Sequence, residues 1–259
     1  PAQPVEPVNG PRPVHLARHA IVGATVIPEP GVRVEDATIL VDGDTIVAMG
    51  PDLDVPAGYR TWDAGGHVVH AGLLEPWHEV STPAPDEDAA GTHWNAMVRA
   101  QGSALASTDF DAGTRERMRS MGVALVHLVP DDGVLRGTGA VVTTAEDRSG
   151  EPAARVVRAE TGHVAALQTG RGRSSYPGSK MGAIALLRQS LADAEWRRAA
   201  VDAHERHPEL NERPAPDDAI AALGRDLPLM FAVGDELDAL RAARAAAEFG
   251  RAAVVRGSG

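Results

Sequence analysis

The sequence predicts an α/β fold: a small antiparallel β segment, then a parallel βα array. Three observations predict it. Asp42-Gly43-Asp44 separates the apolar runs Thr38–Val41 and Thr45–Met49, and an Asp-Gly there is a strong hairpin signal because Gly accepts the positive φ the turn needs. Helix, glycine and apolar strand follow one another at Arg115–Met121, Gly122 and Val123–Val129. The same order returns at Asp235–Phe249, Gly250 and Ala252–Val255. The 259 residues are 43% apolar, enough for a globular core, and only 3% aromatic, so that core is built from Val, Leu, Ile and Ala.

The elements follow in order. Residues 1–18 form a Pro-rich tail, since PAQPVEPVNGPRP blocks both helix and ladder pairing. Residues 19–70 form the β segment, with strands at His19–Val26, Thr38–Val41, Thr45–Met49, Arg60–Asp63 and His67–His70. Gly65-Gly66 marks a further turn. Fifty residues are few for an independent core. Residues 71–259 form the βα array, with strands near 72–76, 123–129, 229–233 and 252–255. Leu229–Val255 reads as one βαβ unit with parallel strands, and Asp235 caps its helix with Asp238 three residues on. A helix over Lys180–Glu205 buries Ile184, Leu187, Leu191 and Ala194 at helical spacing. Ser81–Ala90 and His207–Asp218 read as surface loops.

Charge and composition exclude several classes. The net charge of −11 opposes a phosphate backbone, so no nucleic-acid partner is expected. No uninterrupted apolar run is long enough for a membrane span. Without cysteine there are no disulfides, thiolate metal sites or cysteine nucleophiles. There is no G-x-S-x-G elbow for a serine hydrolase. The chain begins with Pro rather than Met, which leans to a processed periplasmic or secreted protein, with a cytoplasmic one as the alternative.

The β segment with its Asp-Gly hairpin, the Gly-Gly turn, and then Ala71-Gly72-Leu73-Leu74-Glu75 resemble the amidohydrolase superfamily. The resemblance implies a small β-sandwich ahead of a (βα)8 barrel, of which this chain would hold the N-terminal portion: a β-sandwich segment at 19–70 and a partial TIM-like barrel at 71–259. It implies hydrolysis of C–N bonds, amide or cyclic amide, by metal-bound water, with divalent zinc in a complete active protein. Gly137-Thr138-Gly139 and Tyr176–Ile184 resemble a subgroup of exported, often tandem members. The superfamily's first barrel strand carries a P-G-L-I-D-x-H-x-H motif. Here Trp77 and Glu79 stand at the two His positions. Indole offers no lone pair to a cation, and one carboxylate does not make a tight divalent site, so no metal is expected in this chain. Lys180, the only lysine, opens a helix, where the superfamily's carboxylated Lys closes a strand. The alternative is therefore a catalytically inactive homologue or half-protein with a structural or binding role. A partial barrel also implies a partner that completes it: the rest of the polypeptide, a second chain, or a second copy in a homo-oligomer.

No catalytic residue is assigned, and the candidates for substrate binding are Trp77, Glu79, His93, His127 and Asp131. Trp77 and Glu79, two apart on a strand, share a side. His127 lies near the carboxyl end of Val123–Pro130, the end that faces the active site in such barrels, or is a hydrogen-bonded core histidine. Asp131, with Asp132 ahead of Gly133, binds a cation, sets a proton donor or general base, or makes a solvated turn. His93, within Gly91-Thr92-His93-Trp94-Asn95, lines a pocket or packs a loop. His204 and His207 have a chelating spacing but lie at an exposed helix end. Arg136–Gly139 and Gly170–Ser175 are weak anion-cradle signals, neither with P-loop spacing.

Overall fold

The computed structural model describes residues 18–146, 155–170 and 176–257. Residues 1–17 of the Pro-rich tail and Arg171–Ser175 of the second glycine-rich loop lie outside them, while Arg18, read as the tail's end, opens the first strand. The chain divides into two compact units, one ending at Gly72 and one beginning at Leu73.

Among the described residues, the first unit is one five-stranded sheet. Strands β1 (Arg18–Ile27), β2 (Val34–Asp42) and β3 (Thr45–Pro51) form an antiparallel meander. Its hairpin turns at Gly43, φ +65°. Strands β4 (Arg60–Asp63) and β5 (Val68–His70) correct the antiparallel expectation. Both pair with β1 in parallel, β4 beside His19–Val22 and β5 beside Thr25–Ile27. The turn predicted at Gly65-Gly66 exists, with His67 N–H donating to the Ala64 carbonyl at 2.9 Å, but it jogs the chain instead of reversing it. The jog lies against a bulge in β1 at Gly23, where a Cβ would sit 3.5 Å from Gly65 Cα. Ala24, Val26, Ala37 and Ile39 form the buried face.

The second unit holds two four-stranded sheets among its described residues. In one, β6 (Leu73–Val80) and β7 (Val123–Pro130) are parallel, joined through α1 (Ala112–Ser120). Asp111 caps α1 by accepting from Thr114 N–H, and Gly122 ends its turn at φ +84°. In the other, β11 (His163–Ala166), β12 (Leu229–Val233) and β13 (Ala253–Gly257) are parallel. Helices α2 (Lys180–Arg206) and α3 (Asp218–Leu223) connect the first pair. Helix α4 (Glu236–Glu248), capped by Asp235, connects the second.

A purely parallel array is corrected between β7 and β11. Strands β8 (Leu135–Thr138) and β9 (Ala140–Thr143) run on across Gly139, β8 antiparallel to β11 and β9 antiparallel to β7. Strand β10 (Val156–Arg158) pairs antiparallel with β9. The glycines that read as an anion cradle serve close packing instead. A Cβ on Gly137 would lie 2.7 Å from the Gly102 carbonyl oxygen, and one on Gly139 2.6 Å from His127 Nε2.

Alternate residues along the parallel strands go to opposite faces. Leu229, Phe231 and Val233 join the main core with Leu186, Leu187 and Leu191 of α2 and Ala242, Ala245 and Ala246 of α4. On the other face Trp77, Val129, Val164 and Met230, from four parallel strands, meet in one cluster. The stripe predicted for α2 holds at Leu187, Leu191 and Ala194. Ile184 is only half-buried because Ala183 and Leu186 carry the contact. No helix among the described residues is long and apolar enough to cross a membrane.

Candidate functional site

The carboxyl ends of β6, β7 and β11 gather a polar network. Trp77 and Glu79 lie on one side of β6, and the indole N–H donates to Glu79 Oε1 at 3.3 Å. His78 points to the opposite face and packs its ring against Phe110, 5.8 Å between centroids. Trp77 is buried in the four-strand cluster, whereas the Glu79 side chain is 47% exposed.

At the centre of the network is Arg136, only 7% exposed, on β8. Its guanidinium donates to the carbonyls of Gly133 (3.2 Å) and Pro130 (3.4 Å) and to Gln168 Oε1 (3.1 Å), and lies 3.6 Å from Glu79 Oε1. Burial pulls its pKa down from the ordinary arginine value, while the charges of Glu79, Asp131 and Asp132 hold it protonated. Gln168 donates to Asp132 Oδ1 at 2.9 Å, and Arg99 pairs with Asp132 Oδ2 at 3.2 Å. Asp131 accepts from Ser81 Oγ at 3.0 Å. The carboxylates therefore already face a cation.

His127 is buried beneath this network with both ring nitrogens engaged. Nδ1 lies 2.9 Å from the Pro76 carbonyl and Nε2 2.8 Å from Thr161 Oγ1. A carbonyl only accepts, so Nδ1 carries the proton and Thr161 donates to Nε2. The ring meets Trp77 edge-on, 6.1 Å between centroids. Desolvation lowers its pKa, partly offset by the Pro76 hydrogen bond. This imidazole is a fixed neutral core group.

His93, in the loop after β6, bonds to the Asn95 backbone, and among the described residues it makes no hydrogen bond or ion pair with this network. Lys180 opens α2 and ties it to α4, with Nζ 2.5 Å from Asp238 Oδ2 and 3.5 Å from Asp235 Oδ2. The Asp238 hydrogen bond leads the causes that raise its pKa. Carboxylation needs the neutral amine, so this pairing opposes it. The Asp238 side chain is used here and on Arg241 (2.9 Å), and makes no return bond in a capping box.

A divalent metal does not fit these donors. Trp77 has none to offer, and Glu79, Asp131 and Asp132 surround a guanidinium that cannot be deprotonated. Among the described residues, no group of three or more His, Asp or Glu side chains is placed to hold a metal ion.

Arg136 is the residue whose role sequence reasoning missed. It was read as part of a glycine-rich anion cradle. The available signal was an arginine inside an apolar stretch, Val134-Leu135-Arg136, since a buried arginine requires partners.

No family model matches the chain, and no curated protein does. Solved structures do. An amidohydrolase from Thermotoga maritima MSB8 aligns over 91% of this chain and 63% of its own, with 19% identity and a TM-score of 0.73. A D-hydantoinase (dihydropyrimidinase) from Thermus sp. aligns over 91% of this chain and 56% of its own, with 15% identity and a TM-score of 0.32. The chain thus shares the fold of the Thermotoga amidohydrolase. It spans less than two thirds of the length of either structure.

Proposed function

We propose that the chain is part of an amidohydrolase-like protein in which a packed tryptophan and a buried arginine stand in place of the metal centre. Its role is binding or assembly, not hydrolysis. The observation that carries this is Arg136, a permanent cation held among Glu79, Asp131 and Asp132. A guanidinium organises carboxylates but activates no water as a Lewis acid. The test is an assay over amides and cyclic amides, with and without added Zn²⁺ or Mn²⁺. No metal-stimulated turnover is expected; turnover that needs metal and is lost in Glu79→Gln would overturn the reading.

We also propose that the five parallel strands are one arc of a (βα) barrel. Two observations support it: Trp77, Val129, Val164 and Met230 converge as an inner layer, and β6 and β13 each end a sheet. Leu73, Leu74, Val254 and Val255 are exposed on those edge strands. Parallel sheets with an uncovered edge are aggregation templates. Completing strands would come from the remainder of a longer polypeptide, a second chain or a second copy. Size exclusion with light scattering on these 259 residues is expected to show self-association. A cooperatively melting 27.1 kDa monomer would refute this.

A second reading keeps hydrolysis of amide or cyclic-amide C–N bonds for the complete protein. The fold shared with the Thermotoga amidohydrolase favours it. In it, Glu79 or Asp131, at the carboxyl ends of β6 and β7, is the general base.

A further inference from the structure

We infer that the cavity under the loop after β6 binds a small organic cation that also carries a hydrogen-bond acceptor. The inference is independent of the preceding reading. The cavity, about 380 Å³, is lined among others by Glu87, Asp88, His93, Trp94 and Arg99. Its electrostatics favour a cation. Arg99 is neutralised by Asp132 at 3.2 Å, whereas among the described residues no ion pair or side-chain hydrogen bond engages the Glu87 or Asp88 carboxylate.

Trp94 supplies an aromatic face. It is 72% exposed and stacks on Tyr176, 6.3 Å between centroids and 19° between planes. An exposed indole that lines one cavity with two carboxylates can recognise an ammonium group.

His93 supplies the second, independent feature. It is only 6% exposed, and its Nδ1 accepts from Asn95 N–H at 3.1 Å. The neutral ring therefore carries its proton on Nε2. That nitrogen has no hydrogen-bond partner among the described residues, and the ring is part of the cavity lining. An N–H left without a protein acceptor can donate to a ligand oxygen.

The loop is pre-organised. Thr92 Oγ1 donates to the Asp86 carbonyl at 2.7 Å, Asp218 N–H to that of Gly91 at 2.7 Å, and Asn95 Nδ2 to that of Tyr176 at 3.1 Å. Less ordering entropy is then lost on binding.

The experiment is calorimetric titration of the whole chain with choline, which has both a cation and a hydroxyl oxygen. Its uncharged isostere 3,3-dimethyl-1-butanol, acetate and tetramethylammonium are the comparators. Choline is expected to bind one site, with the isostere and acetate about tenfold weaker or worse. Trp94→Ala, and Glu87→Gln with Asp88→Asn, each weaken choline about threefold or more, while Trp196→Ala, an exposed indole on α2, leaves it unchanged. His93→Phe weakens choline but not tetramethylammonium, which lacks the acceptor. No choline binding, equal binding of the isostere, or indifference to Trp94→Ala would overturn the inference.

Discussion

Arg136 and His163 are two buried bases at opposite ends of the β8–β11 pair, and the protein treats them differently. Arg136, near the carboxyl end of β11, is met by two carbonyls, an amide oxygen and nearby carboxylates. His163 opens β11 at 1% exposure, and neither ring nitrogen has a partner in hydrogen-bond geometry; the Ala222 backbone is a weak neighbour. Burial, reinforced by Arg225 and Arg251 against Glu160, lowers its pKa to about 4. One end of the sheet is built to keep a charge and the other to exclude one. The difference marks which end of the sheet is polar.

The largest expected effect comes from breaking the charged end. Arg136→Met leaves the carboxylates facing one another and should destabilise the chain by about 3–5 kcal/mol, read by urea unfolding. Arg136→Lys should recover only part, since an ammonium cannot reproduce the fork to two carbonyls and Gln168. A loss below about 1 kcal/mol would mean that the network is not coupled to folding.

The neutral end gives the next effect. The folded pKa of His163, about 4, lies below an unfolded value of about 6.5, so the unfolded chain binds the extra proton. Its contribution is complete above about pH 6.5 and falls as the pH drops toward about 4, by up to about 3 kcal/mol. His163→Gln should flatten that part of the stability–pH curve; an unchanged slope would refute the assignment.

Smaller again is the packing between the two ends. Gly139→Ala puts a Cβ 2.6 Å from His127 Nε2 and 2.7 Å from Thr161 Oγ1. Overpacking there should cost about 1–3 kcal/mol in thermal melts, whereas Gly250→Ala, with nothing within 4 Å but φ +64°, reports backbone strain alone.

These two ends were unequally legible in the sequence. Local chemistry carried the helix ends: Asp235 as a cap and Gly122 and Gly250 after their helices lie where turn and cap preferences put them. The Asp-Gly hairpin was equally local. Pairing partners were not. The turn at Ala64–His67 has the same residues whether the chain reverses or jogs, and only β1 decides. The 135–143 segment was hidden because Gly137 and Gly139 read as an anion cradle, whereas their cause is the Gly102 carbonyl and the His127 ring, 35 and 12 residues away. Trp77 and Glu79 were picked out by the resemblance to the superfamily's motif and put on one side by the two-residue period, but the arginine facing Glu79 came from another strand.

The central claim is that Arg136 holds the place of a metal. It is tested most directly by the metal content of the whole chain after purification without chelators and back-titration with Zn²⁺, Mn²⁺ and Fe²⁺. The account predicts well under one ion per chain and no saturable binding that depends on Glu79. Near one ion per chain, lost in Glu79→Gln, would contradict it.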